Sequence, residues 1–347
     1  MRMKVKLIAL LALALTAVAC GDGGGTATTD GGTATTEGGT TVTTEGGTGT
    51  TEGGAGADLG SLTTIKLVAN TWEGSEANIA VAKAILEEVG YTVEVISLDE
   101  NAMWPAMASG DVHAALEVWP SGHAANVETY IDSGAGVENL GELGVVGKIG
   151  WFVPSYLIEQ NPALATWEGY ADPANAALFA TAETGSSGQF LAGDPAFVQY
   201  DAEIISNLGL PFEVVVGGSE QALMSALESA YAAEEPLLFY FWTPHEAFAN
   251  FELTQVELPA YSDECGEHAA AADGGVDCAY PDDVLFKIGW AELATEAPAA
   301  HSILSNFSYT NQDQIEIMAA AGDDMTIDEA AVAWVEANRS VWEAWLP

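Results

Sequence analysis

The sequence predicts an α/β protein with two lobes, a hinge and a ligand cleft between the lobes. Segments with strand and helix patterns alternate from about residue 65 onward, which is typical of a parallel sheet with crossover helices. The roughly 290 residues that follow a low-complexity N-terminal segment exceed what one hydrophobic core usually serves. A second alternating block follows the first, and two lobes joined by crossing strands can close on a ligand.

The first block reads as strand, helix, strand, helix and strand. IKLVAN (65–70) is a β-rich run, and the helix after it has apolar residues at helical spacing up to Gly90, a good helix stop. The runs 91–98 and 112–119 are the next strands, separated by a short helix that begins in MWPAMASGD. This spacing predicts parallel pairing through crossover helices.

The second block follows a strand, KIGWFVPSYLI (148–158), that leaves the first lobe. Its predicted elements, after a connecting helix in LATWEGYADPANAALF, are ALFATAE, a helix in PAFVQYDAEIISNLGL, the strand FEVVVGG, the helix SEQALMSALESAYAAEE and the strand PLLFYFW. VLFKIGWAEL (284–293) is one more strand, and the remaining chain is helical. The last helix opens with Thr326 and Glu329 at the spacing of a capping box.

Residues 1–20 have the features of a secretory signal: a basic start, an apolar run and small residues. The apolar run is shorter than the about 20 residues that a helix needs to span a bilayer. Its end, AVAC, resembles the lipobox of bacterial lipoproteins, in which the cysteine, here Cys20, is lipidated. An ordinary secretory peptide is the alternative.

Residues 21–58 repeat Gly, Thr and Glu with almost no apolar side chain, so they cannot bury enough surface to order themselves. We expect a disordered tether between the lipid on Cys20 and the folded domain, with the protein outside the cytoplasm and anchored to the cell membrane. Lobe 1 is expected to comprise residues 59–150 and 261–347, and lobe 2 residues 151–260.

The charge is strongly acidic, with 8 Lys and Arg against 51 Asp and Glu and a net charge of −43. This excludes a nucleic-acid partner bound through phosphate neutralisation. In an exported chain, Cys265 and Cys278 are expected to form a disulfide. Zinc bound by this pair and His268 is the alternative, but we expect no metal and no cofactor.

Three tryptophans, Trp72, Trp119 and Trp242, lie at the ends of predicted strands, two in the first lobe and one in the second. Ligands of open α/β sheets sit at the carboxyl ends of the strands. One interpretation is that these side chains only pack. The other is an aromatic cage for a quaternary ammonium ion, which has no N–H to donate and binds ring faces instead.

The segments WEGSEANIA, MASGDVHAALEVWPSGH, GDPAF and YFWTPHEAF resemble those of the glycine betaine/proline betaine substrate-binding proteins of ABC transporters. The resemblance covers about residues 63 to 347. It implies a two-lobed periplasmic-binding-protein fold, type II-like, that delivers its ligand to a membrane permease driven by an ATPase. It also implies a monomer whose only tie to the membrane is the lipid.

The resemblance implies roles for individual residues. Trp72, Trp119 and Trp242 match the ammonium cage. The carboxylate of betaine would bind His123 and the backbone N–H groups of Ala192 and Gly193. A second tier of candidates is Phe197, His245 and Glu117.

Glu117 leaves the ligand open. Strand alternation puts it on the same side as Trp119. If it lines the site, it would repel the carboxylate of betaine, and choline or carnitine would become contenders; if it pairs elsewhere, glycine betaine is the expected ligand. An exported enzyme acting on a cationic molecule is the alternative of another class, but the sequence contains no Ser/His/Asp set, HExxH or P-loop motif.

The net charge of −43 predicts a protein that needs salt for full stability. Ionic strength screens the repulsion among surface carboxylates over distances of about 10 Å at 0.1 M. The melting temperature is therefore expected to be markedly lower in dilute buffer than in molar salt, measured by thermal unfolding. Equal melting temperatures would show that the acidic surface is not an adaptation to salt.

Overall fold

The structure is a computed structural model that describes residues 57–323 and 325–347. The predicted signal peptide, Cys20 and all of the tether except its last residues lie outside the described residues.

The described chain folds around one nine-stranded mixed sheet. The strands are β1 (Thr64–Ala69), β2 (Thr92–Ser97), β3 (Ala114–Val118), β4 (Val137–Pro154), β5 (Gly188–Ala192), β6 (Phe212–Val216), β7 (Phe239–Thr243), β8 (Leu253–Gln255) and β9 (Asp282–Trp290). Their order is β2-β1-β3-β9-β4-β7-β5-β6, with β8 paired to β4. The first three strands run parallel, as do β5, β6 and β7, whereas β9 and β4 run antiparallel to their neighbours.

Helices cover the sheet on both sides of the long central strands. They are α1 (Glu73–Val89), α2 (Met103–Ser109), α3 (Ala124–Asn126), α4 (Ser155–Gln160), α5 (Trp167–Tyr170), α6 (Pro173–Ala176), α7 (Asp201–Asn207), α8 (Glu220–Ala233), α9 (Ala247–Asn250), α10 (Asp263–Ala271), α11 (Leu293–Glu296), α12 (Pro298–Asn306), α13 (Asn311–Asp323), α14 (Ile327–Ala337) and α15 (Arg339–Trp342). The predicted ends hold: α1 stops at Gly90, which has φ of 116°, and α14 begins with the Thr326–Glu329 capping box.

The connecting strand is longer than predicted. β4 begins at Val137 rather than near residue 148, pairs first with β9 and then with β7 and β8, and ends at Pro154. Gly141 and Gly144 lie in it at positive φ, and the pairing with β9 shifts register around them. The sequence pattern does not indicate a strand at these bulges, because glycine and charged residues are rare in regular strands.

The second block differs at its start. ALFATAE forms a short 3₁₀ turn at Ala177–Phe179, and the strand is instead GQFLA, β5. Glycines at both ends of GQFLA are typical of a loop, whereas burial of its apolar residues in the tertiary structure makes this segment a strand inside the sheet.

Cys265 and Cys278 are joined by a disulfide with a Cα–Cα distance of 6.4 Å. Both sulfurs are therefore unavailable as zinc ligands, and the His268 imidazole Nδ1 lies 3.0 Å from the Asp273 carboxylate. Within the described part of the chain, no helix combines the length and apolar character that a bilayer crossing needs.

Asp201 is buried at the start of α7. Its Oδ1 accepts hydrogen bonds from the Trp151 indole (2.6 Å) and the Tyr280 hydroxyl (3.1 Å), while Oδ2 has no partner. Burial raises the pKa of Asp201 from 3.8 to about 6, although both hydrogen bonds oppose the rise.

Stability is therefore expected to fall as the pH rises from about 4 to 6. In that range the unfolded carboxyl loses its proton while the folded one keeps it, which costs on the order of 3 kcal/mol by the end of the window. Asp201→Asn is expected to remove this part of the pH dependence and to be relatively more stable at pH 7. Urea unfolding of both proteins at pH 4 and pH 7 measures the difference, and parallel pH profiles would contradict the assignment.

Candidate functional site

A cleft in the middle of the molecule is lined mainly by aromatic rings. The rings are Trp72, Trp119, Phe197, Tyr240 and Trp242, and the other lining residues are Glu100, Ser121, Gly122, Ile149 and Val198. The three tryptophans predicted to form a cage therefore share one cavity. Lys and Arg are absent from this lining, so the only formal charge on it is the Glu100 carboxylate.

The sheet brings these rings together. Trp72 follows β1 and caps α1, Trp119 follows β3, and Trp242 lies in β7. Chain ends of β1 and β3 meet at one edge because these strands are parallel neighbours. Ile149 of β4 pairs with Trp242, which places β7 at the same opening from the other side.

Phe197 stands between two of the tryptophans. Its ring centroid is 5.5 Å from that of Trp72 and 5.9 Å from that of Trp242, with interplanar angles of 87° and 86°. Such edge-to-face pairs are favourable and hold each ring in one orientation. The cavity is therefore a rigid set of ring surfaces, the environment that binds a quaternary ammonium ion.

Glycines leave room for this arrangement. A Cβ on Gly147 of β4 would lie 2.4 Å from the Trp119 ring, and a Cβ on Gly122 would lie 2.6 Å from Val198. The first contact allows the Trp119 indole to approach the backbone of β4. The second allows the turn after β3 to contact the segment after β5. This contact closes the cavity between the two halves of the sheet, which contain β1–β3 and β5–β7.

Glu117 lies behind the cage rather than in its lining. The indole N–H groups of Trp72 and Trp119 both donate to Glu117 Oε1, at 2.6 and 3.0 Å. The other oxygen, Oε2, accepts from the Asn78 amide and from Gln314 Nε2 at 2.9 Å. Glu117 is 2% exposed, so the structure matches the alternative in which it pairs with neighbouring polar groups.

Glu100 is the acidic residue that does face the cavity. Its Oε1 accepts from the Val198 backbone N–H at 2.6 Å, and its Oε2 lies 3.2 Å from His123 Nε2. The other His123 nitrogen, Nδ1, is 3.0 Å from Asn126 Nδ2, which can only donate. Nε2 of His123 therefore carries a proton and donates a hydrogen bond to Glu100 Oε2.

The groups predicted to bind a ligand carboxylate, on His123, Ala192 and Gly193, are not part of the cavity lining. His123 is buried behind Glu100, and Ala192 ends β5. The Gly193 N–H already donates to Gln199 Oε1 at 2.8 Å. Their assignment to a ligand carboxylate stays a prediction, and the geometry adds nothing to it.

His245 supports Glu220, which connects the two halves of the sheet. Its Nδ1 accepts from the Ala247 N–H at 3.0 Å, so Nε2 carries the proton and donates to Glu220 Oε1 at 2.7 Å. The other Glu220 oxygen accepts from the Glu73 N–H at the start of α1, at 2.9 Å. Glu220 of α8 thus caps α1, the helix that follows the cage residue Trp72.

Glu73, Glu220 and His245 are close enough to share an ion, with ligand atoms within 4.8 Å of one another. A metal on His245 Nε2 would have to displace its proton while Nδ1 keeps its hydrogen bond from Ala247. These hydrogen bonds favour a proton, rather than a metal ion, on His245 Nε2. Burial and the neighbouring Glu220 raise the pKa of Glu73 to about 7.

Six lining residues were not singled out by the sequence analysis, and two of them, Tyr240 and Glu100, lie at positions that a sequence signal could have indicated. Tyr240 lies two positions before Trp242, so strand alternation puts both on one face. Glu100 follows β2 at its carboxyl end, the position where ligand groups of α/β sheets occur. No short motif marks either residue, which is why only the assembled cavity reveals them.

This fold and this cleft define the class of extracytoplasmic substrate-binding proteins of ABC importers. Residues 63–337, more than half of the chain, match the family described as the substrate binding domain of ABC-type glycine betaine transport systems. The chain belongs to this family. The family is one of transport proteins that work with membrane permeases, which confirms the expectation that the protein is not an enzyme.

Individual relatives differ in their ligands. The chain is 29% identical to the trimethylamine N-oxide-binding protein of Pelagibacter ubique, over 80% of this chain and 89% of that protein. It also resembles a lactococcal protein solved with glycine betaine (TM-score 0.64, 21% identity, 82% of this chain and all of that one). A choline-binding protein solved with choline is equally similar (TM-score 0.65, 22% identity, 82% and 92%). These two structures confirm the two-lobed fold.

The contact between Gly147 and the Trp119 ring predicts a costly substitution. Gly147→Ala is expected to lower the free energy of unfolding by about 1–3 kcal/mol, because overpacking forces the indole or the strand to move. Gly322→Ala is the matched control: Gly322 is helical and its added Cβ would meet only Glu246 at 3.8 Å. There the substitution is expected to be neutral or stabilising. Equal effects of both changes in urea unfolding would contradict the predicted contact.

Proposed function

We propose that the protein captures a compact trimethylammonium compound without a free carboxylate and delivers it to a membrane permease. The observation that carries the proposal is Glu100, a carboxylate on the wall of an aromatic cage with no cationic side chain in its lining. Cage rings attract the methylated ammonium, and one hydrogen bond joins Glu100 to the polar group at the other end of the ligand.

Glu100 disfavours glycine betaine, which the sequence resemblance put first. Two carboxylates about 4 Å apart repel each other by about 4 kcal/mol at an effective dielectric constant of 20. A cation–π contact contributes about 2 kcal/mol when desolvated, so this repulsion offsets about two of them. Carnitine carries the same carboxylate.

Choline and trimethylamine N-oxide fit the two ends of the cavity in different ways. The choline hydroxyl donates directly to the Glu100 carboxylate. The N-oxide oxygen only accepts, so one proton must lie between it and Glu100. The identity to the N-oxide-binding protein supports the second ligand, and the hydrogen-bonding capacity of Glu100 supports the first.

Delivery from a membrane tether is part of the proposal. A lipid on Cys20 and the Gly/Thr/Glu-rich segment 21–58 would hold a monomeric receptor near its permease while letting it reach ligand. Globomycin-sensitive processing and loss of membrane association in Cys20→Ser test the anchor independently of the ligand.

Calorimetric titration with choline, trimethylamine N-oxide, glycine betaine and carnitine tests the ligand. Choline or trimethylamine N-oxide is expected to bind at least about tenfold more tightly than glycine betaine and carnitine do. Trp242→Ala is expected to weaken the binding of that ligand by about thirtyfold. Trp290→Ala, which changes a tryptophan outside the cavity, is the control and is expected to leave affinity unchanged.

Glu100→Gln separates the hydrogen bond from the repulsion. This substitution is expected to raise the affinity for glycine betaine, relative to that for choline, by about tenfold or more. A parent protein that prefers glycine betaine, with a preference that Glu100→Gln leaves unchanged, would overturn the proposal.

A further inference from the structure

We infer that Glu117 is the buried counter-charge of the bound ammonium ion and that it acts through the two cage tryptophans whose indoles it holds. This role rests on the proposed function only in requiring a cationic ligand in the cage. Glu117 does not touch the cavity, so it is a positioning residue rather than a contact residue.

The four hydrogen bonds to Glu117 favour the ionised carboxylate, whereas its burial favours the protonated one. All four groups around Glu117 are donors: the indoles of Trp72 and Trp119 and the amides of Asn78 and Gln314. A proton on Glu117 would have no acceptor and would displace one of these donors. Burial raises the pKa of Glu117, and the four hydrogen bonds oppose that rise.

The two amide orientations are determined by other bonds. Gln314 Nε2 also lies 3.2 Å from the Gly74 carbonyl and 3.2 Å from Asn78 Oδ1, and both are acceptors. Because Gln314 Nε2 can only donate, the Asn78 atom that it contacts is Oδ1, which also accepts from the Tyr309 hydroxyl, and the Asn78 nitrogen therefore faces Glu117. Each amide nitrogen therefore points at an acceptor, and each indole can only donate.

No side chain with positive charge is among the hydrogen-bond partners of Glu117 in the described chain. The titratable groups around this network are Tyr309, whose pKa is raised by burial and by Glu117, and Asp313 beyond it; Glu100 lies across the cavity. The first turn of α1 is adjacent, because a Cβ on Gly74 would lie 3.3 Å from Glu117 Oε2. A helix N-terminus stabilises negative charge only partly.

A negative charge in this position acts on the ligand in two ways. It attracts the ammonium ion across the rings, in a low-dielectric interior where such interactions are strong. It also accepts from both indole N–H groups, which increases the electron density of the ring faces and locks their orientation. The arriving cation is the partner that an isolated buried carboxylate otherwise lacks.

A merely structural role and a counter-charge role predict different ligand dependence. Choline and 3,3-dimethylbutan-1-ol have the same shape and hydroxyl group but differ in charge. In Glu117→Gln, choline affinity is expected to fall at least tenfold (about 1.4 kcal/mol), and the neutral alcohol by less than about threefold. Competition against a cage ligand, followed by tryptophan fluorescence, measures both. Equal losses, or an unchanged choline affinity, would overturn the inference.

Two variants serve as controls. Trp290→Ala, which changes a tryptophan outside the cavity lining, is expected to leave the affinities for choline and the alcohol unchanged. Glu117→Asp keeps the charge and is expected to restore part of the preference for choline, even where Glu117→Gln weakens folding. Circular dichroism confirms that each variant is folded before titration.

Proton release gives a second, independent measurement. A bound cation stabilises the Glu117 carboxylate, so binding at mildly acidic pH is expected to release a proton from the parent and not from Glu117→Gln. Calorimetry in buffers of different ionisation enthalpy detects the difference. If the parent binds neither choline nor the N-oxide, the proposed function fails, and tetramethylammonium, which has no polar end, is the probe. Proton release with tetramethylammonium would still support the role of Glu117, and its absence would refute it.

Discussion

The shared acceptor at Glu117 is the interaction on which the site depends. One carboxylate oxygen receives both indole N–H groups, at 2.6 and 3.0 Å, and thereby relates the side chain before α1 to the side chain after β3. Without it, two large rings from separate strands would have several rotamers available at the mouth of the sheet. Phe197 and Gly147 then complete the positioning by edge contacts and by close approach.

The two halves of the sheet meet at this cavity through a few specific contacts. β4 is continuous from its pairing with β9 to its pairing with β7, so the cage is built across one strand. Glu100 accepts from Val198, and Glu220 accepts from Glu73, each joining elements from opposite halves. Such contacts can form only when the halves approach, and a ligand that bridges them favours the closed state.

Charge explains why an acidic protein suits a cationic ligand. The net charge of −43 resides largely on exposed carboxylates, where salt screens it. Glu117 and Glu100 are different because they are buried and their charge is hardly screened. One stands behind the rings and the other at the polar end of the cavity, so the site presents negative potential from both sides.

Periodicity and composition in the sequence determined the class of fold, the order of most elements and the three strand-end tryptophans. These features are local: a 3.6-residue or two-residue repeat, a capping box or a glycine stop carries its own physical cause. Only the tertiary structure decided that Glu117 turns its carboxylate to the indoles, that Glu100 faces the ligand and that His123 supports Glu100. Apart from the bond between Glu117 and Trp119, those roles depend on partners 23 to 197 positions away in the chain, and side-chain hydrogen bonds over such separations leave no local pattern. The tertiary structure also decided the bulged start of β4 and the short strand β5. In both, burial in the sheet outweighed the low strand preference of glycine.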